Sequence, residues 1–542
     1  MPDQLIQTKV AEPGNSPAAV LNRITDSLAL RPRLWVSGLL AAGLLVRVVH
    51  ANGTYLHPDE ALHFAIANEA SWIETYRASL SLSHPPLLIF LLHAWRALGT
   101  SELWLRIPSV IVGLAFCWVA RKWLEKLFSP AVAWVGFVFV LFLPSSVDLS
   151  TEVRQYALLL AFCMGSAYLL ELAFEKDSAW YMLGSGLCLF LAIASHYSSF
   201  LFAAVLGIYA VSRIVCHHPS LKVIAAWESG VIASIGLAYF FYVTHLATLG
   251  QRYGGGSAAH GWMAGSYLGN SYYVPGKMNP VLFVVARTGS VFQYIFGQAA
   301  AGDFAVVAFA AGVFFALKHS RLLTRFQLCV LLLLPYALNC VGGLLRLYPY
   351  GGTRHSSFLI PFAVAGVSIA LVRGMKNGSL IGMVSALLIC LLCNLFPSHR
   401  ENLVSNHRLS DMTLAVNFIR NKVPPQQALF ADYESSLMLG YYLCHGKPVQ
   451  THHVKEFLTF ACGGHQVIAT DWNAQIFNAD NFRRVWPKFV ADFGFPRGSQ
   501  VWITQMGVPA RLHPELRQSS VSDHAFGPNI NIFTLDTAAS FQ

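Results

Sequence analysis

Charge is what this sequence has little of. Asp, Glu, Lys and Arg together make up 12% of its 542 residues, and apolar residues make up 55%. Soluble globular chains average about 25% charged and about 45–50% apolar. So few charges cannot solvate the surface of a globule this large, which leaves a lipid bilayer as the solvent for much of the chain. Mean hydropathy is +0.49. Internal repeats and low-complexity tracts are missing, which excludes solenoids and speaks against transporters built from repeated halves. No Cys or His group has zinc-ligand spacing, so Cys117, Cys163, Cys188, Cys216, Cys329, Cys340, Cys390 and Cys393 read as small core residues. Cys444 and Cys462 lie in a more polar region, and an extracytoplasmic location would allow them to pair. No basic-aromatic cluster is present to read nucleic acid, so nucleic acid is excluded as a partner. The net charge of +10 is instead assigned to cytoplasmic loops. The first 30 residues are polar and too long for the n-region of a signal peptide. The apolar run after Arg31-Pro-Arg33 therefore reads as a retained span.

What the sequence does have is long apolar runs. They predict spans near 34–49, 103–120, 130–148, 155–174, 179–195, 198–215, 223–246, 302–317, 326–345, 356–372 and 379–396. The loops sort into two sets. Arg31, Arg33, Arg121, Lys122, Lys126, Lys176, Arg213, Lys222, Lys318, Arg321, Arg325, Arg373 and Lys376 fall on one side, which the positive-inside rule makes cytoplasmic. The loops 50–102, 149–154, 196–197, 247–301 and 346–355 lie outside. Two short apolar stretches, 85–98 and 281–297, read as interfacial helices on that outer face. Beyond 397 the charge density becomes ordinary. Met412 to Ile419 reads as a helix, and Ala428-Leu-Phe-Ala, Gln500-Val-Trp-Ile-Thr and Ile530-Asn-Ile-Phe-Thr read as strands. The expected fold class is an α-helical polytopic membrane protein with about eleven transmembrane helices and a C-terminal soluble α/β domain. The expected division is a cytoplasmic segment 1–33, a membrane domain 34–397 and an extracytoplasmic α/β domain 398–542.

The acids and the Arg/His clusters with chemical promise lie in the outer loops. Tyr55-Leu-His-Pro-Asp-Glu-Ala-Leu-His63 places Pro58 at the first position of a helix, with Asp59 and Glu60 in its first turn, where the helix dipole favours anions. Leu62, Ile66 and Ala70 give that helix an apolar face, so it is expected to lie along the membrane surface. In Ser150-Thr-Glu-Val-Arg-Gln-Tyr156, Ser150 or Thr151 can cap the fourth span, so that Glu152 starts it and Arg154 follows. His84-Pro-Pro-Leu, His196-Tyr197 and Tyr348-Pro-Tyr-Gly-Gly-Thr-Arg-His355 complete the set. Gly351-Gly352 with Arg354 could bring backbone N–H groups and a guanidinium onto a phosphate. Taken singly, these are a charged helix start, an interfacial ion pair and ordinary loop histidines. Gathered at one face, they suit transfer from an anionic lipid carrier.

These segments together resemble the GT-C glycosyltransferases, specifically glycosyltransferase family 39 and the aminoarabinose-transferase relatives. The resemblance rests on His57-Pro-Asp-Glu-Ala, His84-Pro-Pro-Leu with Ser101-Glu-Leu-Trp-Leu-Arg-Ile-Pro-Ser109, Glu152-Val-Arg-Gln-Tyr156, Ser195-His-Tyr197, and Gly351-Gly-Thr-Arg-His355 with Leu359-Ile-Pro361. It implies an inverting glycosyltransferase in the inner (plasma) membrane, with its site on the extracytoplasmic side. A sugar would pass from a polyprenyl-phosphate donor to a hydroxyl of a protein, lipid or glycan. In that scheme Asp59 is the catalytic base with Glu60 beside it, and Glu152 completes the site. His57, His84, Arg154, Tyr156, His196, Tyr197, Arg354 and His355 bind substrate. At position 84 many aminoarabinose-transferase relatives have Lys, and His is neutral at pH 7 unless its surroundings favour the cation. A divalent cation, Mg or Mn, held by Asp59, Glu60 and Glu152 is left open. The alternative reading is a polytopic transporter or flippase of a lipid-linked glycan.

Overall fold

The structure is a computed structural model that describes residues 30–247, 249, 268–320, 322–376, 407–425, 427–444, 449–471, 479–507 and 516–539. Among them, seven helices are long and apolar enough to cross a bilayer. A bent pair, Arg325–Leu332 with Leu334–Leu344 meeting at 46°, makes an eighth candidate. The spans expected at 130–148 and 179–195 are the shorter helices Pro130–Phe142 and Ala179–Ser195. Pro144 stops the first of these, because Leu143 before it is extended (φ −57°, ψ 131°) and a new helix, Pro144–Leu149, begins. The two stretches expected to be interfacial are the helices Leu87–Trp95 and Pro280–Phe296. The expected span 379–396, with Cys390 and Cys393, lies outside the described residues.

We label the helices that position the site α1 (Pro32–Asn52), α2 (Pro58–Ala67), α3 (Glu102–Leu127), α4 (Pro144–Leu149), α5 (Tyr156–Glu175), α6 (Pro280–Phe296), α7 (Ile360–Lys376) and α8 (Tyr433–Tyr442). The membrane core is one continuous apolar cluster from Phe116 to Val372. At the end of α5 away from the outer loops, Glu171 accepts from Arg213 Nη2 at 2.9 Å and from Tyr209 Oη at 2.6 Å. This is a buried ion pair that hydropathy alone does not reveal.

All seven described strands follow Ala428. They form one mixed sheet in the order β2-β3-β4-β1-β5-β7-β6. β1 (Ala428–Ala431) runs parallel to β4 (His465–Thr470) on one side and to β5 (Gln500–Met506) on the other. β2 (His452–Val454) and β3 (Phe457–Cys462) make a hairpin beyond β4. β6 (Ser520–Gly527) and β7 (Ile530–Asp536) close the other edge. The three strands expected from sequence are β1, β5 and β7, and the expected helix is Leu409–Lys422. Cys444 and Cys462 are joined as a disulfide with Cα atoms 5.2 Å apart.

Helix α2, expected to run to Ala70 along a membrane surface, packs against the sheet domain. It ends at Ala67 and is covered on its far side by α8 from the sheet domain. Tyr442 Oη accepts from Leu56 N at 2.8 Å, Tyr441 Oη donates to Thr100 O at 2.6 Å, and the Tyr441 ring meets Phe64 edge-on at 5.2 Å. The local reason is composition, since Ala61, Phe64, Ile66 and Ala67 need apolar cover on more than one side.

Candidate active site

Asp59 and Glu60 are adjacent in sequence, but their surroundings differ. The α2 N-terminus is a capping box in which His57 Nδ1 accepts from Asp59 N at 3.2 Å, and Glu60 Oε2 accepts from His57 N at 2.8 Å. Glu60 points inward and is 2% exposed. Its carboxylate also accepts from Arg106 Nε (2.9 Å), Arg106 Nη2 (2.7 Å) and Val153 N (2.8 Å). Burial pushes Glu60 up, but Arg106 and the backbone donors outweigh it and hold it ionised, below the usual range. Arg106 spends its remaining donors on Ala51 O, Thr54 O, Thr54 Oγ1 and Tyr55 O, at 2.7–3.0 Å. Glu60 and Arg106 therefore fasten α1, α3, the start of α2 and the 150–155 turn to one another. That leaves Glu60 no open face toward a substrate, contrary to the expectation that it acts beside Asp59.

Asp59 faces the other way, and its side chain is 37% exposed. Arg154 Nη1 and Arg354 Nη2 both reach its Oδ2, at 2.6 and 2.8 Å. Burial pushes the Asp59 carboxyl up, but the two guanidiniums prevail and hold it well below the usual carboxylate range. Glu152 Oε2 lies 3.9 Å from Arg354 Nη1. For Glu152 burial prevails over the pull of Arg354, and Glu60 adds to it, so its carboxyl is pushed up.

Glu152 and Arg154 sit in a turn between α4 and α5, not within the fourth span, because α5 starts at Tyr156. Ser150 does not cap that helix. Its Oγ donates to Ser146 O at 2.6 Å and accepts from Arg47 Nε at 2.7 Å. Arg47 is fully buried and also donates to Leu141 O (2.9 Å), a carbonyl near the break at Pro144. It supports the turn that carries Glu152 and Arg154.

The histidines form a second layer. His63 Nδ1 bonds to Asp59 O, and its Nε2 lies 2.6 Å from His84 Nε2. His84 Nδ1 in turn lies 3.2 Å from Pro85 O, so each ring sets its Nδ1 against a carbonyl and the two meet through Nε2. Burial, reinforced by Arg154, pushes His63 down to about 3. Burial, then His63 and Arg154, pushes His84 well below 6.5, and burial with Arg154 and Arg354 takes His196 to about 3. Burial also takes His57 down to about 4, against the pull of Asp59. These rings are neutral hydrogen-bonding groups here, and the arginines carry the positive charge. Tyr156, His196 and His355 follow one another as tilted rings with centroids 5.1 and 6.0 Å apart, and the Arg154 guanidinium lies 5.9 Å from the Tyr156 ring. Tyr197 stands apart from this group. It bonds to His245, which in turn reaches Leu82 O at 2.7 Å.

In the Gly351-Gly352 turn, the Gly352 N–H is not offered to an anion as expected. Gly352 N donates to Ser290 Oγ at 3.0 Å, and a Cβ at Gly352 would lie 2.4 Å from Ser290 O. Glycine serves here for close approach to α6, which aims Arg354 across at Asp59. Among the described residues no group of three His, Cys, Asp and Glu is arranged to hold a metal ion. Asp59, Glu60 and Glu152 do not fit one, because guanidiniums already claim the first two and Glu152 faces Arg354.

Sequence reading missed Arg106, Arg47 and His63 as parts of this assembly. Arg106 and His63 lie inside the motifs quoted above, but which acid or carbonyl each would meet depends on distant chain. Arg47, inside the first span, carried a signal of its own, since a charge there needs buried partners.

Comparison with known proteins adds the following. Residues 83–242 match the model of the family described as dolichyl-phosphate-mannose-protein mannosyltransferase. No curated protein matches the sequence. The structure of ArnT from Cupriavidus metallidurans in the apo state superposes with a TM-score of 0.52 at 12% identity, covering 94% of this chain and 100% of that one. ArnT from the same organism bound to undecaprenyl phosphate gives 0.51 at 13% identity, covering 94% and 98%. An oligosaccharyltransferase from Archaeoglobus fulgidus gives 0.44 at 11% identity, too weak to argue from. This chain covers 63% of its length, and 76% of this chain is covered in return. With its apolar helices, its C-terminal sheet and this likeness to ArnT, the chain is a multi-pass membrane protein of the GT-C glycosyltransferase fold, and it resembles glycosyltransferase family 39.

Proposed function

We propose that this chain is an inverting glycosyltransferase that takes a sugar from a polyprenyl-phosphate donor and passes it to an acceptor hydroxyl on the extracytoplasmic face of the inner (plasma) membrane. The observation that carries this reading is the convergence of Arg154 and Arg354, from segments far apart in the chain, on one carboxylate oxygen of Asp59. A carboxylate held between two cations, with a third of its surface open, is suited to yield those cations to a phosphate. The fold is shared with a protein whose structure holds undecaprenyl phosphate.

In this reading the donor phosphate draws Arg354 and Arg154 toward itself. Asp59 is then freed of part of its neutralising charge and becomes a stronger base. It accepts the acceptor hydroxyl proton as that oxygen attacks the anomeric carbon. The polyprenyl phosphate leaves from the opposite face, and the arginines balance its charge. Glu152 positions Arg354, and Glu60 with Arg106 holds Asp59 in place. His84, His196 and His355, with Tyr156, contribute hydrogen bonds and stacking surface to the substrate. The disulfide Cys444–Cys462 and the basic loops at the opposite face support the extracytoplasmic orientation.

Membranes carrying the wild-type chain should move radiolabel from a polyprenyl-phosphate sugar into an acceptor fraction. Asp59→Asn should cut that rate by about 10²–10⁴-fold while inserting at normal levels. Wild-type transfer by a folded Asp59→Asn protein would remove Asp59 as the base and make Glu152 the first candidate. Facilitated passage of the intact lipid-linked glycan without cleavage would favour the flippase reading.

A further inference from the structure

In the sheet domain, β1 lies between its two parallel partners. The chain leaves β1 through α8 and the β2–β3 hairpin to reach β4 on one side. It leaves β4 through the helix Ala479–Asp492 to reach β5 on the other. The connections thus diverge at β1, and in open α/β sheets ligands bind outside the carboxyl ends of the strands where this happens.

The register aligns Ala431 with Ala469 of β4 and with Thr504 of β5. One residue further along, Thr470, Asp432 and Gln505 form a row across three strands, about 10 Å from end to end. Strand alternation puts their side chains on the face of Phe430, Ile468 and Ile503. All three are buried, and each keeps a polar atom without a hydrogen-bond partner: Thr470 Oγ1, Asp432 Oδ2 and Gln505 Oε1. Two residues on, in the first turn of α8, Glu434 Oε2 is likewise buried and unpartnered. More than about nine in ten buried polar groups are paired in native proteins, so four orphans at one edge mark a place where something else supplies the partners.

This edge is the one seated on the membrane domain's site. Met506 N donates to Ser435 Oγ at 2.8 Å, and Gly507 follows with φ +89°. A Cβ at Gly507 would lie 2.6 Å from Pro58 Cγ, so the end of β5 touches the residue before Asp59. Burial, with Asp432 and Asp59 adding to it, pushes the Glu434 carboxyl up to about 8, and burial takes Asp432 to about 6. Among the described residues no cation belongs to the row.

We infer that the carboxyl edge of this sheet, with Thr470, Asp432, Gln505 and Glu434, is the acceptor subsite, and that it takes a hydroxyl-rich glycan. The inference rests on the proposed transfer reaction and names its acceptor class. A hydroxyl, a primary amide and a protonated carboxyl both donate and accept, which matches sugar hydroxyls. Among the described residues a phosphate would meet carboxyls and no cation there, and a free amine would have to ionise Glu434, which burial keeps neutral.

The test uses the full-length detergent-solubilised chain. Its thermal shift with undecaprenyl phosphate reports the donor side. Its binding to an array of neutral hexose, pentose and amino-sugar oligosaccharides, with peptides as controls, reports the acceptor side. Wild type should bind a subset of the glycans. Thr470→Val and Gln505→Ala should each weaken that binding roughly two- to tenfold, the contribution of one neutral hydrogen bond. Glu434→Gln should retain it, because the amide also donates and accepts. The undecaprenyl phosphate shift should be unchanged in all three variants, and Thr470→Val should melt no lower than wild type, since it deletes an unpaired hydroxyl. Binding to peptides but not to glycans overturns the inference, as does wild-type glycan affinity in Thr470→Val and Gln505→Ala. Loss of the undecaprenyl phosphate shift in wild type would instead count against the proposed reaction.

Discussion

Replacing Arg354 tests two of its roles in a single variant. In the structure it is one of two guanidiniums on Asp59 Oδ2, and in the proposed reaction it moves to the donor phosphate. A charge-assisted hydrogen bond contributes about 1.5–3 kcal/mol, so Arg354→Ala should weaken donor binding about 10- to 150-fold. A neighbouring Arg lowers an Asp by about 1–3 units. With Arg154 still in place, the Asp59 carboxyl should rise on losing Arg354 and remain an acid. The sign follows from the base role. Asp59 works deprotonated, so the acid limb of kcat/KM against pH lies at its pKa, and raising the pKa moves that limb to higher pH. The deficit of Arg354→Ala should therefore grow as pH falls, on top of a pH-independent loss from the phosphate. Arg354→Lys should restore the acid limb but only part of the affinity, because an ammonium is a point charge without the bidentate fork. The assay is initial-rate transfer in detergent, with donor concentration and pH both varied. A loss of equal size at every pH would separate Arg354 from Asp59 in the free enzyme. Unchanged kcat/KM would remove Arg354 from the site.

Two further outcomes bear on the frame around the site. Glu60→Gln or Arg106→Ala should lower thermal stability by about 3–5 kcal/mol, as expected when one partner of a buried pair is removed, whereas Asp59→Asn should melt near wild type. Equal melting of all three would show that Glu60 and Arg106 are not the fastening described. The Cys444–Cys462 bridge closes a sequence separation of 18 residues, so a double Cys→Ser variant should destabilise the sheet domain by about 3 kcal/mol. In intact cells those two thiols, once reduced, should react with a membrane-impermeant reagent, and labelling only after lysis would place the domain on the cytoplasmic side.

Much of the membrane architecture is legible in the sequence because hydropathy needs only composition over about 20 residues. The expected spans through 356–372 all coincide with helices. What composition does not show is interruption. Pro144 turns one expected span into two helices, and Glu152 consequently falls in a turn instead of on a helix. Local signals also served the site unevenly. His57, Asp59 and Glu60 form a capping unit within four residues, so the helix start could be read directly. Which of the two acids faces the open side depended on Arg106, 46 residues from Glu60 in sequence, and on Arg354, 295 residues from Asp59. No local pattern encodes such pairings. The same holds for Glu434 and Gln505, whose meaning comes from strand order.

The hydrogen bond between Leu56 and Tyr442 spans 386 residues, and it has a consequence for biosynthesis. At about 5–20 residues per second, roughly 20 to 80 s separate the emergence of these two partners from the ribosome. Throughout that interval α2 and its acidic start have no cover from α8, and the edge seated on Pro58 does not yet exist. A chain halted between them would insert its helices and still lack the outer wall of its site. In the proposed reaction, lipid-linked sugar in the same bilayer is thus shielded from a half-made chain by the order of synthesis itself.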